Sequence, residues 1–107
     1  MSLEIEVTDN GCEVFFYLQG EFGSEIKDQV QEMVRRHGAG ATYHFDFANV
    51  SRVLSSGVGM LMMLRQELGG MIANIKLVNC STSTRATFNY VGIQNLFFIS
   101  RQQLNAA

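Results

Sequence analysis

Segments with a period of two residues alternate with segments that have helical apolar spacing, and this alternation restricts the possible folds more than any other feature. Residues 3–9 alternate apolar and acidic side chains, which is typical of a half-exposed edge strand. Asn10-Gly11 is a strong hairpin signal, and residues 12–18 have the pattern of the returning, more buried strand, closed by Gly20. We therefore expect an antiparallel β-hairpin over residues 1–19.

The next segment has the pattern of an amphipathic helix over residues 25–37. Ser24 is the predicted N-cap, and Gly38 is the expected stop residue. The apolar stripe of this helix consists of Ile26, Val30, Met33 and Val34.

Further strands and helices are predicted beyond Gly38. The strands are residues 42–47 and 74–80, with residues 96–99 as a short strand or core anchor. The helices are residues 60–68, ended by Gly69-Gly70, and a segment through about residue 90, with possible N-caps in residues 81–84 and an end at Gly92. Residues 50–59 are predicted to form a loop, and residues 101–107 a frayed helix.

The predicted element order is β-β-α-β-α-β-α-β. The last three helix-to-strand alternations require crossover connections, so most of the sheet should be parallel or mixed, with helices packed on it. A chain of 107 residues has room for one core. We therefore predict a single α/β domain over residues 1–107.

Charge and hydropathy exclude several classes of function. The formal charge is −2, so the chain lacks the basic surface that nucleic acids require and the Lys/Arg clusters that bind anionic membranes. The N-terminus has no signal-peptide pattern, and no apolar stretch approaches the ~18 residues that span a bilayer. Cys12 and Cys80 are isolated thiols, which we interpret as buried structural cysteines in a reducing cytoplasm.

The sequence offers no convincing catalytic site. Ser55-Ser56-Gly57 resembles a nucleophile turn, but a serine nucleophile needs a base, and His37 and His44 are predicted at a helix end and in mid-strand. Asp46 is a single carboxylate rather than an acid/base pair. The glycines at positions 57 and 59 lack the context of a dinucleotide or phosphate loop. We expect no enzyme activity, no metal site and no cofactor.

The serine pair has two possible roles. A hydroxyl at a strand-to-helix junction lies near the positive end of the helix, where a phosphate would be stabilised. Phosphorylation would add about −1.5 to −2 charges, comparable to the net charge of the whole chain. Alternatively, Ser56 is only an N-cap and Ser55 only a loop residue.

The helix after the serines is apolar almost all round. Its predicted sheet-facing residues are Val58, Leu61, Leu64 and Leu68, and its predicted outer residues are Gly59, Met63, Gln66 and Glu67, with Met60 at the border. Methionine is common on adaptable binding surfaces. The outer face is therefore either a docking site for another protein or part of a deeply buried helix.

Residues 46–59 (Asp-Phe-Ala-Asn-Val-Ser-Arg-Val-Leu-Ser-Ser-Gly-Val-Gly) resemble the signature of STAS domains, the sulfate-transporter and anti-sigma-factor-antagonist family. Gly20-Glu21-Phe22 is similar to the Gly-x-Leu that follows the second strand of the family. Residues 77–81 and 88–93 resemble its fourth strand and its closing helix turn. The resemblance covers nearly the whole chain and implies a STAS-like mixed sheet.

The resemblance also implies a function. Stand-alone bacterial members are anti-sigma factor antagonists, or anti-anti-sigma factors, that bind a GHKL-type Ser/Thr kinase acting as the anti-sigma factor. That kinase phosphorylates the first serine of the motif, and a PP2C-type phosphatase restores the binding form. The matching serine here is Ser55, with Ser56 as the second choice, and we expect a monomer or weak dimer. The resemblance assigns partner binding to Gly23, Ser24, Leu54, Ser55, Ser56, Gly57, Gly59, Met60 and Met63, and support of the serine loop to Asp46.

Two positions depart from the family pattern. Leu54 stands where an Asp usually precedes the serines, and Gly23 stands where an acidic residue commonly follows Gly-x-Leu. These changes either retune the surface for a different kinase or indicate a constitutive accessory subunit, as in lipid-transport ABC systems. Binding of a small nucleotide or lipid in the STAS groove is a third hypothesis.

Overall fold

The structure, a computed structural model, describes residues 2–102, with the backbone alone for residue 72. The elements are β1 (Ser2–Val7), β2 (Glu13–Phe22), α1 (Lys27–His37), β3 (Thr42–Val53), α2 (Ser55–Glu67), β4 (Ile75–Cys80), α3 (Thr82–Val91) and β5 (Phe98–Arg101). Short 3-10 turns cover Ser24–Ile26 and Gly70–Ile72. The predicted element order is confirmed.

The strands form one mixed sheet in the order β1-β2-β3-β4-β5. β1 pairs with β2 in the antiparallel sense, and the remaining neighbours pair in parallel. The hairpin turns at Asn10-Gly11 as predicted: Gly11 has φ +70°, and its N–H donates to the Thr8 carbonyl at 2.8 Å. The α/β fold expected from the alternation of elements is therefore present.

The core lies between the helices and one face of the sheet. Alternate strand residues such as Phe16, Tyr43 and Phe45 are at most 1% exposed. Edge-to-face ring contacts extend the core toward the end of β3: Phe47 packs at 5.0 Å from Phe22 and 5.5 Å from Phe88. This apolar layer fixes the position of the first turn of α2.

The opposite side of the sheet, which we call the open face, is not covered by the three helices. It carries Glu4, Glu6, Glu13, Phe15, Tyr17, His44, Asp46, Lys76, Val78 and Phe98. His44 lies on this face and stacks on Phe15 at 4.2 Å between ring centroids. His44 thus points away from the buried Tyr43 and Phe45.

Two strand boundaries were predicted wrongly. Gly20 does not close β2, because it forms an irregularity with φ +94° and the strand continues to Phe22. β3 likewise continues to Val53, which pairs with Phe22. The predicted loop over residues 50–59 is therefore reduced to one residue between β3 and α2. Parallel pairing with β2 extends this segment, which a local pattern does not show.

Several predictions for single residues are also corrected. Ser24 does not cap the first helix, which begins at Lys27 after a 3-10 turn without a side-chain cap. Cys12 is exposed because it belongs to the hairpin connection before β2, whereas Cys80 is buried and free as expected. Arg101 lies in β5 rather than in a frayed helix, and residues 103–107 of that predicted helix lie outside the described residues.

The caps of α3 agree with the sequence. The Ser81 hydroxyl accepts a hydrogen bond from the Thr84 N–H at 3.1 Å, and Gly92 ends the helix with φ +83°. Within residues 2–102, no helix combines the length and hydrophobicity needed to cross a bilayer.

Candidate docking site at the start of α2

The serine pair lies where β2 and β3 end side by side. The Leu54 N–H donates to the Phe22 carbonyl at 2.9 Å, which continues the pairing of the two strands. Leu54 remains extended, with ψ 155°, and its carbonyl accepts from the N–H groups of Gly57 and Val58. The chain therefore turns from strand to helix within one residue, which places Ser55 and Ser56 in the first turn of α2.

Gly57 allows this tight junction. A Cβ atom at position 57 would lie 2.5 Å from both the carbonyl oxygen and the ring Cδ2 of Phe22. Phe22 is fully buried, and its backbone cannot move without disturbing the end of β2. A side chain is thus excluded at position 57, which explains sterically why glycine follows the serine pair.

The two serine hydroxyls differ in their contacts. The Ser56 Oγ accepts a hydrogen bond from the backbone N–H of Ser24 at 3.2 Å and so ties the start of α2 to the 3-10 turn after β2. The Ser55 side chain is exposed and has no hydrogen-bond partner among residues 2–102. The hypothesis that Ser56 is the N-cap is wrong, because Leu54 occupies the N-cap position without a side-chain bond.

The first turn of α2 provides a positive electrostatic environment. N–H groups at a helix start have no partner within the helix, and they carry part of the helix dipole. No acidic side chain lies in this turn. Nearby on the paired strand ends, Glu21 and Arg52 neutralise one another at 2.7 Å. An added anion at Ser55 would therefore meet no local carboxylate within that turn.

A groove of about 240 Å³ lies beside Ser56, between the start of α1 and the outer side of α2. Its lining residues are Ser24, Lys27, Ser56, Gly59, Met60 and Met63. Met63 is half-buried, and the Gln31 amide contacts its sulfur at 3.9 Å and the Glu67 carboxylate at 3.3 Å. The groove is open above Gly59, where an added Cβ would meet no atom within 4 Å. We call this groove together with the two serines the serine surface.

The two residues that depart from the family pattern lie close together. A Cβ atom at Gly23 would lie 3.1 Å from the Leu54 Cδ1 and 3.1 Å from the Ser56 Oγ. Leu54 therefore occupies space that a side chain at position 23 would need, and the two replacements are sterically coupled. The rim of the serine surface is apolar at these positions.

Asp46 does not contact the serine pair. Its two oxygens accept hydrogen bonds from the Ala48 N–H at 2.9 Å and the Asn79 amide at 3.0 Å. Asn79 has φ +56°, so Asp46 stabilises a left-handed residue near the end of β4. Its bond to Ala48 lies where the pairing of β3 with β2 changes register. Its predicted support of the serine loop is at most indirect, through β3.

The predicted binding residues lie around the start of α2, although three of them, Gly23, Gly57 and Met60, are buried. Gly57 is buried and Met60 is 3% exposed, so only a group that enters the groove would reach Met60. Sequence reasoning missed Phe22 and Lys27. The positions 24, 27 and 31, spaced by three and four residues, could have identified Lys27 as part of the same helix side as Ser24.

The family model described as "Mlab, STAS domain" matches residues 11–99. The chain therefore belongs to the STAS domain family. A curated relative, the STAS-domain containing protein PA14_20770 of Pseudomonas aeruginosa (strain UCBPP-PA14), is 32% identical over 92 residues, covering 85% of this chain and 91% of the relative.

Solved structures with the same fold include both forms of one protein. The anti-sigma factor antagonist SpoIIAA in its unphosphorylated form is similar with a TM-score of 0.74 at 21% identity, over 92% of this chain and 87% of that chain. The phosphorylated form of SpoIIAA, a Bacillus cell fate determinant, gives a TM-score of 0.67 at 21% identity, over 92% and 90% of the two chains. At this identity the likeness establishes a SpoIIAA-like fold.

Proposed function

We propose that this chain is a partner-switching module of the anti-sigma factor antagonist type, controlled by phosphorylation of Ser55. In the unmodified state the serine surface binds a GHKL-type Ser/Thr kinase that acts as an anti-sigma factor. Phosphorylation releases the complex, and a PP2C-type phosphatase restores the binding form. The chain is the substrate and ligand of these enzymes, not an enzyme, and acts in the cytoplasm.

The observation that carries the proposal is that an exposed hydroxyl, without a hydrogen bond to any of residues 2–102, stands beside an apolar groove at a helix start. A kinase can reach the Ser55 hydroxyl without unfolding the domain, because no hydrogen bond within residues 2–102 holds it. The Ser56 hydroxyl, in contrast, is bonded to the Ser24 N–H. Of the two serines, Ser55 is therefore the better phosphate acceptor.

The position also suits a switch. A phosphate at the first turn of α2 would be stabilised by the helix dipole, so the modified domain should stay folded. Within a complex, the same phosphate would be buried against a surface shaped for a neutral serine. An unpaired buried charge is unfavourable by several kcal/mol, and about 2.8 kcal/mol already weakens binding about 100-fold.

A second candidate is a constitutive STAS subunit of a larger complex that is not phosphorylated. The apolar rim at Gly23 and Leu54 favours this alternative, because neither position carries the acidic residue of the family pattern. The matching family model is itself described by the name Mlab rather than as a sigma-factor regulator. In this case the apolar rim would bind its partner permanently.

Binding of the chain to its kinase partner, measured by titration calorimetry with and without ATP, tests the proposal. We expect Ser55→Ala to bind in both conditions, Ser55→Asp to bind about 100-fold more weakly, and the wild type to dissociate after phosphate transfer. Ser83→Asp, on the exposed first turn of α3, is the matched control and should bind like the wild type.

Intact-mass analysis before and after incubation with ATP locates the modification. One phosphate on the wild type and none on Ser55→Ala supports the switch. A complex that persists with ATP, with no phosphate on purified protein from cells, would contradict it and would support the constitutive subunit.

A further inference from the structure

We propose that the open face of the sheet is a second docking surface, distinct from the serine surface, which binds a basic and partly apolar segment of another protein. The proposal goes beyond the proposed function and does not depend on it. It rests on the row of side chains that the strand register places on this face and on the charge that surrounds them.

The register brings one residue from each strand into a single row across the open face. Glu6 lies opposite Phe15, Phe15 beside His44, His44 beside Lys76 and Lys76 beside Phe98. Neighbouring strands are about 4.8 Å apart, so the row spans roughly 20 Å. That length matches an extended or helical segment crossing the strands.

The centre of the row is an aromatic ridge. The rings of Phe15 and His44 are nearly parallel, with an 8° interplanar angle and centroids 4.2 Å apart. Tyr17 continues the stack from Phe15 at 6.2 Å. Tyr17 is 37% exposed and Phe98, at the far end of the row, is 61% exposed. Rings in contact with solvent on a sheet provide apolar area for a partner.

Carboxylates surround this ridge. The open face carries Glu4, Glu6, Glu13 and Asp46 against Lys76, a net charge of 1 − 4 = −3 with His44 counted as neutral, whereas the whole chain carries −2. The negative charge of the molecule is thus concentrated here. The His44 Nε2 lies 3.0 Å from a Glu13 carboxylate oxygen. Burial and the neighbouring carboxylates of Glu6 and Asp46 raise the pKa of Tyr17, as expected in a negative field.

The negative charge of the open face restricts which kind of molecule can bind there. Exposed aromatic residues on a sheet can stack nucleic-acid bases, but a face with charge −3 repels phosphates and anionic lipid headgroups alike. A second copy of this chain would bring another negative face. A segment with Lys or Arg beside apolar residues complements both the carboxylates and the rings.

The far end of the row already shows this pairing within the molecule. The Lys76 ammonium lies 5.5 Å from the centroid of Phe98 and reduces the negative charge there. No lysine or arginine of the described chain lies over Phe15 or Tyr17, where Glu6 instead accepts a hydrogen bond from the Tyr17 hydroxyl at 3.2 Å. A cation that complements this end of the face would come from a partner.

A short synthetic peptide of alternating Lys and Leu, titrated into the isotope-labelled full chain, tests the proposal. Amide shifts should map to residues 4–6, 13–17 and 44–46. The triple variant Glu4→Gln, Glu6→Gln, Glu13→Gln should bind about tenfold more weakly. The control is the triple variant Asp9→Asn, Asp28→Asn, Glu67→Gln, which makes the same change in charge away from the open face. It should bind within about twofold of the wild type.

Amide shifts that map to the serine surface would overturn the proposal. Equal weakening in both triple variants, or stronger binding of a Glu–Leu peptide of the same length, would overturn it as well. Concentration-dependent dimerisation abolished by Tyr17→Ser would assign the face to a second copy instead. Loss of peptide binding in Tyr17→Ser, with an unchanged unfolding midpoint, supports the basic partner.

Discussion

The Ser56 hydroxyl accepts a hydrogen bond at 3.2 Å from the backbone N–H of Ser24, a residue 32 positions earlier in the chain. This bond connects the first turn of α2 to the turn that leads into α1, across the mouth of the groove. The adjacent Ser55 has no such bond within the described chain. The two serines of the motif therefore differ in their contacts: Ser56 joins the two turns, and the Ser55 hydroxyl is exposed.

This division predicts different stabilities for the two alanine variants. Ser56→Ala should lower the free energy of unfolding by about 1 kcal/mol, because the Ser24 N–H loses its acceptor. Ser55→Ala should change it by less than about 0.5 kcal/mol, since the side chain is exposed. Urea unfolding of both variants checks the difference, and an equal loss in both would show that the bond is unimportant.

Gly57 and Gly59 form a matched pair of positions for testing how closely α2 approaches Phe22. Gly57→Ala should destabilise the domain by about 1–3 kcal/mol, because the new methyl group clashes with the Phe22 carbonyl and ring. Gly59→Ala should stabilise it by up to about 1 kcal/mol, because that position is open and alanine favours the helix. Thermal unfolding measures both, and a stable Gly57→Ala protein would refute the tight junction.

The steric coupling between Gly23 and Leu54 is measurable as an interaction energy. Gly23→Ala should be destabilising in the wild-type background, because its methyl group meets the Leu54 side chain at about 3.1 Å. In a Leu54→Ala background this loss should shrink by about 0.5 kcal/mol or more. A double-mutant cycle of unfolding free energies gives the value, and strict additivity would mean that the two positions changed independently.

The groove predicts unequal roles for two consecutive methionines. Met63→Glu places a charge in the groove and should weaken partner binding about 100-fold, the loss typical of a central contact. Met62→Glu, at a position outside the groove that is 36% exposed, should remain within about threefold of the wild type. Binding titrations with unfolding controls distinguish the two, and equal effects would place the interface elsewhere.

The two cysteines should differ in reactivity and in their effect on alkaline stability. Burial raises the pKa of Cys80 from 9.0 to about 12, whereas Cys12 is exposed. In the folded chain at pH 8, a thiol reagent should modify Cys12 and leave Cys80 intact. Peptide mass mapping after modification identifies the thiol that reacts.

The same shift predicts the direction of a pH effect. Above pH 9 the unfolded chain loses the Cys80 proton first, so the free energy of unfolding should fall between pH 9 and about 12. The slope from this group is at most about 1.4 kcal/mol per pH unit. Cys80→Ala should remove that part of the slope, and an unchanged slope would show that the thiol does not contribute.

Local features of the sequence were sufficient for the order of elements. Asn10-Gly11 determines the hairpin because its turn geometry is intrinsic to those residues. Ser81 and Gly92 delimit α3 because a cap needs only the neighbouring backbone. The alternation that buries Tyr43 and Phe45 and turns His44 outward follows from the period of a strand, so the fold and the position of the serine motif were predictable.

Contacts between distant segments decided the rest. β3 extends to Val53 because β2, some 30 residues earlier, supplies its hydrogen bonds, and α2 consequently starts at Ser55. The bond from Ser24 to Ser56, like the row of side chains across the open face, joins residues that no local period relates. The sequence by itself determined which elements form and in what order, since those preferences act over a few residues. Only the tertiary structure decided that the Ser56 hydroxyl is hydrogen-bonded to Ser24 and where the charge is concentrated, because strand register and helix packing set those distances.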